Sequence, residues 1–453
     1  MTSTARFASL AFAVALFAVP AVAQNKEDPQ AQPPVPLAGW YDNGYLVAQS
    51  ADGAFKYWLD GRINLDFATY KGQKNRLPTG FEVRRARLGV KATILTQYLA
   101  EMDLDFADNK IEMKDIWMGY AGVRNSLIRA GNMKAPFGLD TLTSSKNIMF
   151  IERAYADSWA PDRLMGLSVS HWEKQWQASA GIFGQPAGVF NDKDTLTGGG
   201  AGTSQGHSVV GRFSVAPINK GHRAIHLGVA AARRTPDANK IATSGPDLPD
   251  RLNASRVVKL DSRAETHVTR AKFLSTGDMK YVDHTSQVGV EVAGVMGPLS
   301  VQSEYQTTDV IRTATTIAGY SNHSFNTYYG QVMMFLTKDT RRYIVSDGEF
   351  DRVMPTSKKG AVEVGARYSR LDLDDATTVD PILGGIGKNV MLGATYFMNT
   401  NHKLVFNVGF VDNNDNAKPN KEFAPIPAGT STAQTPVFGD TFKIISIRYQ
   451  LAF

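Results

Sequence analysis

Cationic side chains recur at alternate positions in the stretch GFEVRRARLGVKA, where Arg85, Arg87 and Lys91 share one phase. Side chains alternate across a β-strand, so these three residues predict a basic face, while Leu88 and Val90 predict an apolar face opposite to it. Guanidinium groups donate paired hydrogen bonds to the oxygens of phosphate and carboxylate. The chemistry that this pattern suggests is the binding of oxyanions along a strand.

The next candidate strand places acids beside these cations. Glu101, Asp103 and Asp105 alternate with apolar residues such as Met102 and Leu104, so they share the face of the cations. One interpretation is a paired network in which the acids neutralise the cations of a polar interior. The other is a ladder of weak cationic sites, since conduction requires that a bound ion can also leave. The residues alone leave both interpretations open.

Three further segments carry arginine in the same polar phase: Arg62 in DGRINLDFA, Arg212 in SVVGRFSVAP and Arg234 in AIHLGVAAARR. They extend the basic row beyond a single strand. Arg84 falls in the other phase, together with Glu82, so strict alternation predicts that it lies near a rim.

The elements that must position these residues are short strands. From residue 40 onward, alternating segments are separated by clusters of Gly, Asn, Asp, Pro and Ser, as expected for antiparallel strands. Short turns contrast with long polar connections at 184–207, 234–265, 372–388 and 411–440. This texture predicts an all-β fold, a transmembrane antiparallel β-barrel with short periplasmic turns and long extracellular loops. A soluble β-sandwich or solenoid is the alternative architecture.

The amino-terminal part of the chain has a different composition. Residues 1–23 have the cationic start, apolar run and Ala-x-Ala ending of a cleaved signal peptide. Residues 24–39 are Pro-rich and are expected to form a periplasmic lead-in, which leaves 40–453 for the barrel. We therefore expect export to the bacterial outer membrane, with lipid around the barrel.

The charge balance and the absence of cysteine narrow the function classes. The chain has 49 Lys and Arg against 43 Asp and Glu, a formal charge of +6. This mild excess predicts no nucleic-acid partner. Cysteine is absent, which excludes disulfides, thiolate chemistry and cysteine-based metal sites.

The segment TFKIISIRYQLAF alternates up to Phe453, with Ile445, Ile447, Tyr449 and Leu451 in one phase. It resembles the terminal strand of bacterial outer-membrane barrels, whose last aromatic residue serves as an assembly signal. This favours the membrane barrel over the soluble alternatives.

The stretch GNMKAPFGLDTLTSSKNIMFIER, residues 131–153, resembles the phosphate-selective porin family of the O and P type. RRARLG at 84–89, GRFSVAP at 211–217 and GAVEVGARYSRLDL at 360–373 are similar to the same family, and the resemblance covers nearly all of the chain after residue 40. It implies a homotrimer in which each subunit is a barrel of sixteen strands, with a loop folded inward to narrow the pore.

The resemblance also implies that Arg and Lys side chains in the lumen pass phosphate or other small anions. The ladder role is carried over to Arg62, Arg85, Arg87, Lys91, Arg212 and Arg234. The segment from Thr141 to Arg163 is the candidate for the constricting loop. The cations at and near it are Lys134, Lys146, Arg153 and Arg163, each of which could instead form a structural salt bridge.

No enzyme is predicted, because neither G-x-S-x-G nor H-E-x-x-H occurs. The histidines are scattered, so no metal site and no cofactor are expected. A soluble periplasmic binding protein would need a parallel βαβ texture, which is absent. The dense arginine cluster and paired lysines of the best-known anion-specific members do not align with this chain. Passive diffusion of phosphate or related small anions and general diffusion with little phosphate selectivity therefore both stay open.

Overall fold

A computed structural model describes residues 38–42, 44–187, 205–238, 256–313, 319–419 and 437–453, with side chains from residue 44 onward. The predicted signal peptide and most of the predicted lead-in lie outside these residues. The strands, in chain order, are β1 (Ala38–Asp42), β2 (Tyr45–Gln49), β3 (Phe55–Lys71), β4 (Gly80–Ile94), β5 (Tyr98–Asp105), β6 (Glu112–Tyr120), β7 (Ser126–Lys134), β8 (Arg163–Trp172), β9 (Trp176–Phe183), β10 (His207–Lys220), β11 (Arg223–Thr235), β12 (Val257–Val258), β13 (Asp261–Arg263), β14 (Lys272–Ser275), β15 (Met279–Lys280), β16 (Val282–Met296), β17 (Leu299–Arg312), β18 (His323–Phe335), β19 (Tyr343–Ile344), β20 (Glu349–Phe350), β21 (Ala361–Asp375), β22 (Ile382–Phe397), β23 (His402–Asn413) and β24 (Thr441–Ala452).

Helical structure in these residues is limited to α1 (Leu139–Leu142) and two 3-10 turns, Ala107–Asn109 and Tyr155–Ser158. None of the described helices has the length and apolar character needed to cross a bilayer.

Sixteen of these strands close into one antiparallel barrel. The barrel strands are β3 to β11, β16 to β18 and β21 to β24, each paired with the next, and β24 pairs back with β3. Just past that last ladder, the Gly61 amide donates to the Phe453 carbonyl at 2.8 Å, and the Phe453 amide donates to the Gly61 carbonyl at 3.0 Å. Closure pairs the first barrel strand, β3, with the last, β24. A β-sheet that crosses a bilayer must close in this way so that no strand edge is left unpaired. The predicted all-β barrel of about sixteen strands is confirmed.

The barrel wall separates an apolar outside from a polar inside. On β4, Leu88 is 48% exposed on the outer face, whereas Arg85 is 4% exposed on the inner face. Ala92 lies in the outward phase but is buried, because its small side chain is flanked in register by Tyr57 and Ala100. Apolar side chains on the outside and polar ones within match a wall that faces lipid.

The connections at the two rims differ in length, with two departures from the sequence prediction. Residues 372–388 are mostly strand, because β21 continues to Asp375 and β22 begins at Ile382. At the rim of short turns, one long connection, residues 336–360, joins β18 to β21 and carries the pair β19 and β20. We call residues 343–350 the inner hairpin, because its backbone contacts side chains of the inner wall.

The connection between β7 and β8, residues 135–162, also folds into the barrel, and we call it the constriction loop. Its apolar residues Met149, Phe150 and Tyr155 are buried in a core that includes wall residues of β17 to β24. The segment around Phe273 and Leu274 adds to the same core. Burial of apolar surface thus holds the loop against one side of the barrel, and open space remains beside β3 to β10.

Two glycines of the stretch from 131 to 139, GNMKAPFGL, shape the entry to the constriction loop. Gly131 has a φ of +136°, and a Cβ there would lie 2.3 Å from the carbonyl oxygen of Ile116. Gly138 has a φ of +73° immediately before α1, where the Asp140 amide donates to the Glu304 carboxylate at 2.7 Å. Only glycine adopts such positive φ values at low cost, so the motif is required by the backbone.

Replacing Gly131 by valine is expected to remove most of the folded barrel. The left-handed backbone costs an L-residue about 1–2 kcal/mol, and the new side chain also collides with the backbone of β6. Heat-modifiable migration of the refolded protein in detergent gels measures the folded fraction. Gly330→Val is the matched control, because Gly330 has open space around its Cβ position. Equal folded fractions for the two variants would contradict this account.

Candidate functional site

A cavity of about 610 Å³ lies between the β3 to β10 wall, the constriction loop and the inner hairpin. Among the described residues, its lining carries twelve cations and nine acids, a formal excess of three positive charges. The cations are Arg62, Arg84, Arg85, Arg87, Lys91, Lys114, Arg129, Lys134, Lys146, Arg153, Arg163 and Arg212. The acids are Asp60, Glu101, Asp115, Glu152, Asp157, Asp162, Asp347, Glu349 and Asp351.

Nine of the ten cations predicted from the sequence therefore share one cavity. The exception is Arg234, which is not among the lining residues. It pairs in register with Ser208 and Thr285, and its Nη2 donates to the Gln185 amide oxygen at 3.3 Å. Arg234 thus lies beside the buried residues Ser208 and Thr285, outside this cavity. The part that all ten cations play in anion passage stays a prediction.

Strand β4 places its cations on successive rungs of the wall. Lys91, Arg87 and Arg85 all face the cavity. Arg87 lies opposite Arg62 of β3, and Arg85 lies opposite Asn64. Because a strand rises about 3.3 Å per residue, rungs two residues apart are separated by about 7 Å.

Arg84 faces the cavity and does not lie near a rim, contrary to the prediction from strict alternation. The register slips between Asn64 and Leu65 of β3, which leaves Arg84 as the extra residue of a β-bulge. The bulge lets Arg84 and Arg85 both point inward. Arg84 donates from Nε and Nη2 to the Glu152 carboxylate of the constriction loop, at 2.9 Å and 3.1 Å.

Acids neutralise two of the β4 cations, Arg87 and Lys91. The Arg87 Nε lies 2.8 Å from an Asp105 carboxylate oxygen. The Lys91 ammonium lies 3.2 Å from Glu101 and 3.5 Å from Asp60. At these two cations the structure has the paired network that the acids on β5 suggested.

The predicted cations at the constriction loop form contacts that hold the loop. The Lys146 ammonium donates to both carboxylate oxygens of Asp60 at 2.9 Å. Arg163 donates from Nε to Asp115 at 2.9 Å, and Arg153 donates to two carbonyls of its own loop at 2.6 Å. Lys146 connects the loop to the wall, Arg153 connects the loop to itself, and Arg163 joins β8 to β6 at the end of the loop, while all three line the cavity.

Arg212 anchors the inner hairpin. Its Nη2 donates to the Glu291 carboxylate at 2.6 Å and to the Gly348 carbonyl at 2.8 Å, and both charged side chains are fully buried. His226 contacts the same carboxylate at 3.0 Å and the Tyr343 hydroxyl at 2.6 Å. The Arg212 charge is therefore balanced at short range, and its direct contacts are structural.

Three cavity cations have no carboxylate within 4.0 Å among the described residues. The Arg62 Nη1 donates to the Ser145 hydroxyl at 2.6 Å, and the Lys134 ammonium donates to loop carbonyls at 2.6 Å and 2.8 Å. The Arg129 guanidinium lies 5.4 Å from the centroid of the Trp117 ring. Arg129 was missed by the sequence analysis, although its alternation with Ile128 and Ala130 in SLIRAG is the signal that could have found it.

The inner hairpin presents Asp347 and Glu349 to the cavity. Burial raises the pKa of Glu349 to about 7, even though the Lys134 ammonium favours the ionised carboxylate. Asp347, whose pKa burial also raises, adds a like charge nearby. The charge of the cavity therefore changes near neutral pH.

Comparison with known proteins places these features in a family. The profile of the family described as phosphate-selective porin O and P matches residues 58–453. The chain is 27% identical over 376 residues to an uncharacterized protein of Caulobacter vibrioides, covering 80% of this chain and 69% of that protein. It is 25% identical over 385 residues to Porin O of Pseudomonas aeruginosa, covering 80% and 84%.

Among solved structures, the anion-selective porin from Comamonas acidovorans aligns with 12% identity and a TM-score of 0.47, over 88% of this chain and 100% of that one. The trimer form of OmpT from Vibrio cholerae aligns with 11% identity and a TM-score of 0.49, again over 88% and 100%.

The titration of Glu349 predicts a pH effect on ion selectivity. Lowering the pH from 8.5 to 5.5 protonates this carboxylate, which removes a negative charge from the cavity, so the permeability ratio of chloride to potassium should rise. Reversal potentials across planar bilayers under a salt gradient measure the ratio. Glu349→Gln should already have the higher ratio at pH 8.5 and should flatten the profile. A profile that is as steep in the variant as in the parent would assign the titration to another group.

Proposed function

The chain belongs to the phosphate-selective porin O and P family, and on that premise we propose that it passes phosphate and related small oxyanions through the bacterial outer membrane by passive diffusion. The family and the closed barrel support a location in the outer membrane and point to a channel. The observation that carries the proposal is the charge of the cavity, whose twelve cations exceed its nine acids. Oxyanions would enter because this excess attracts them.

The spacing of the cations favours the passage of anions over their tight binding at one site. Arg85 and the pair of Arg62 and Arg87 stand on neighbouring rungs of the wall, so an anion leaving one guanidinium meets the next within about 7 Å. Several weak sites in series let an ion enter and also leave. The acids beside Arg87 and Lys91 weaken these two rungs further.

General diffusion with little phosphate selectivity is the second candidate function. The observation that favours it is the extent of charge pairing, because Asp105 and Glu101 each stand within 3.2 Å of a predicted ladder cation. The two candidates differ in one measurable property, the block of chloride current by phosphate. A channel with phosphate sites is blocked in a saturable way, whereas a general-diffusion pore is not.

Replacing Arg85 by alanine is expected to lower the anion preference without unfolding the barrel, because lumen substitutions alter selectivity more than stability. The chloride to potassium permeability ratio should fall severalfold, and phosphate should block less strongly. Arg87→Ala should have a larger effect on the ratio, because it also leaves Asp105 without its partner. Arg223→Ala removes a cation that does not line the cavity and serves as the control. Variants that conduct like the parent, or a cation-selective parent, would refute the ladder.

We propose further that three copies associate through the wall of β5 to β9. These strands have 8 to 10 residues, whereas the other barrel strands have 12 to 17. A membrane-spanning strand needs about 9–11 residues, so this low wall spans the hydrocarbon with few residues to spare. Met118 on its outer face is 73% exposed and lies between Ala100 and Ala130 in register, which forms a knob on a shallow apolar surface.

A bulky apolar side chain at position 118 tests the proposed contact between subunits. Met118→Trp should overfill a packed interface and convert trimers to monomers in mild detergent, while the monomer stays heat-modifiable. Val332→Trp is the control, because Val332 is exposed on the distant strand β18 and fluid lipid tolerates the larger ring. Native mass spectrometry or cross-linking gives the number of copies. A monomeric parent, or a trimer that survives Met118→Trp, would overturn this assignment.

A further inference from the structure

One carboxylate of the constriction loop lies among three guanidinium groups. Glu152 accepts from Arg84 at 2.9 Å and 3.1 Å, and it accepts from the Arg448 Nη2 at 2.9 Å. The Arg85 Nη2 stands 3.7 Å from the second carboxylate oxygen. Four nitrogens from three strand residues thus converge on one small anion. Two parallel hydrogen bonds from Arg84 give this arrangement the geometry by which guanidinium recognises free carboxylate or phosphate.

The cluster keeps a positive balance after its acids are counted. Asp66 is the other acid in contact, and it holds Arg448 through two hydrogen bonds of 2.6 Å. Three guanidiniums therefore face two carboxylates. Burial alone would raise the pKa of Glu152, but the charges of Arg84, Arg85 and Arg448 hold that pKa well below its usual range. The carboxylate is an anion at every physiological pH.

The cluster is also accessible from the cavity. Arg84, Arg85 and Glu152 all belong to its lining, and the side chains of Arg84 and Glu152 keep 20% and 14% of their surface exposed. An anion on the path between the rungs of β4 therefore reaches Arg84 and Arg85, two of the three guanidiniums that contact Glu152. Arg448 is fully buried and does not line the cavity.

Backbone contacts beside this carboxylate also position the constriction loop. The Ile151 amide donates to the Asn407 side chain at 2.8 Å, and the backbone carbonyl of Glu152 accepts from Arg367 at 3.0 Å. Next along the loop, the Ala154 amide donates to Asp140 at 3.0 Å. Backbone contacts on both sides of residue 152 hold the loop, so its side-chain charge is available for a different task.

We propose that Glu152 is a tethered occupant of an oxyanion cradle formed by Arg84, Arg85 and Arg448, and that it sets the affinity of the pore by competing with permeating phosphate or carboxylate. This inference rests on the proposed function and names one of its binding sites. A side chain fixed beside the cradle acts at a high effective concentration. An empty cradle of three guanidiniums would retain an oxyanion too long for rapid conduction, and the tethered carboxylate prevents this.

Replacing the Glu152 carboxylate by a neutral side chain should strengthen the binding of free anions in the pore. In Glu152→Gln, the concentration of inorganic phosphate or acetate that halves the chloride current should fall about tenfold, the scale of one charge-assisted hydrogen bond. Asp351→Asn is the matched control, because Asp351 lines the same cavity while its ion-pair partner, Arg342, lies outside that lining. A change below about twofold is expected there, since the general charge effect alone is screened by salt.

A double variant distinguishes the cradle from a structural effect of the loop. Adding Arg84→Gln to Glu152→Gln removes the bidentate donor and should return the half-blocking concentration toward the parent value. Heat-modifiable migration and single-channel conductance confirm that each variant keeps its barrel and its loop.

The outcomes separate this inference from the proposed function. A parent that is cation-selective, or that neither phosphate nor acetate blocks, refutes the proposed function. If the parent is blocked but Glu152→Gln shows no tighter block by either anion, the channel stands and the cradle is refuted. Tighter block by only one of the two anions supports the cradle and identifies its ligand as phosphate or carboxylate. Equal tightening in Asp351→Asn would assign the effect to net charge and overturn the inference.

Discussion

Backbone hydrogen bonding in hydrocarbon is the constraint on which the rest of this structure depends. No water is available at the lipid face, so each strand must find its partners within the wall, and only a closed ring provides them for every strand. Here the ring is completed where β24 meets β3, and the chain end at Phe453 bonds to Gly61 just beyond that ladder. Closure then decides the two faces, because alternate side chains must point either to lipid or to the interior.

Charge is costly at the lipid-facing side of the wall, and the interior uses charge in two ways. Arg212 with Glu291 and Arg341 with Glu363 are buried ion pairs that hold segments of residues 336–360 against the wall. Breaking such a pair strands a buried charge at high cost. Arg62 and Arg129, in contrast, have no carboxylate within salt-bridge distance among the described residues and line open space. The same residue type thus supports the architecture at one position and shapes the cavity field at another.

Sequence reasoning predicted the faces of the wall because a period of two is a local property. It placed Arg85, Arg87 and Lys91 correctly but put Arg84 near a rim, since a single extra residue at a bulge cannot be read from alternation. The inner hairpin was also missed, because it is fixed by contacts with Arg212 and His226, which are distant in the chain. The long connection assigned to 372–388 was wrong for a related reason. Pairing of β21 with β22, as far as Asp375 and Ile382, extends both strands into a segment whose Asp and Gly content is typical of a loop.

Charge pairing and anion passage, which the sequence left as alternatives, are compatible in this cavity because they involve different side chains. Acids neutralise Lys91 and Arg87, while Arg62 opposite Arg87 donates to a hydroxyl and has no carboxylate within salt-bridge distance among the described residues. Arg84 and Arg85 share one loop carboxylate with Arg448. If every cation of the inner wall were paired with an acid, the wall would not attract anions. If none were paired, anions would bind too tightly to leave. Partial pairing leaves the cavity lining with a formal excess of three positive charges. Under the proposed function, the acids among the cations lower the affinity of each site so that a small oxyanion can also leave.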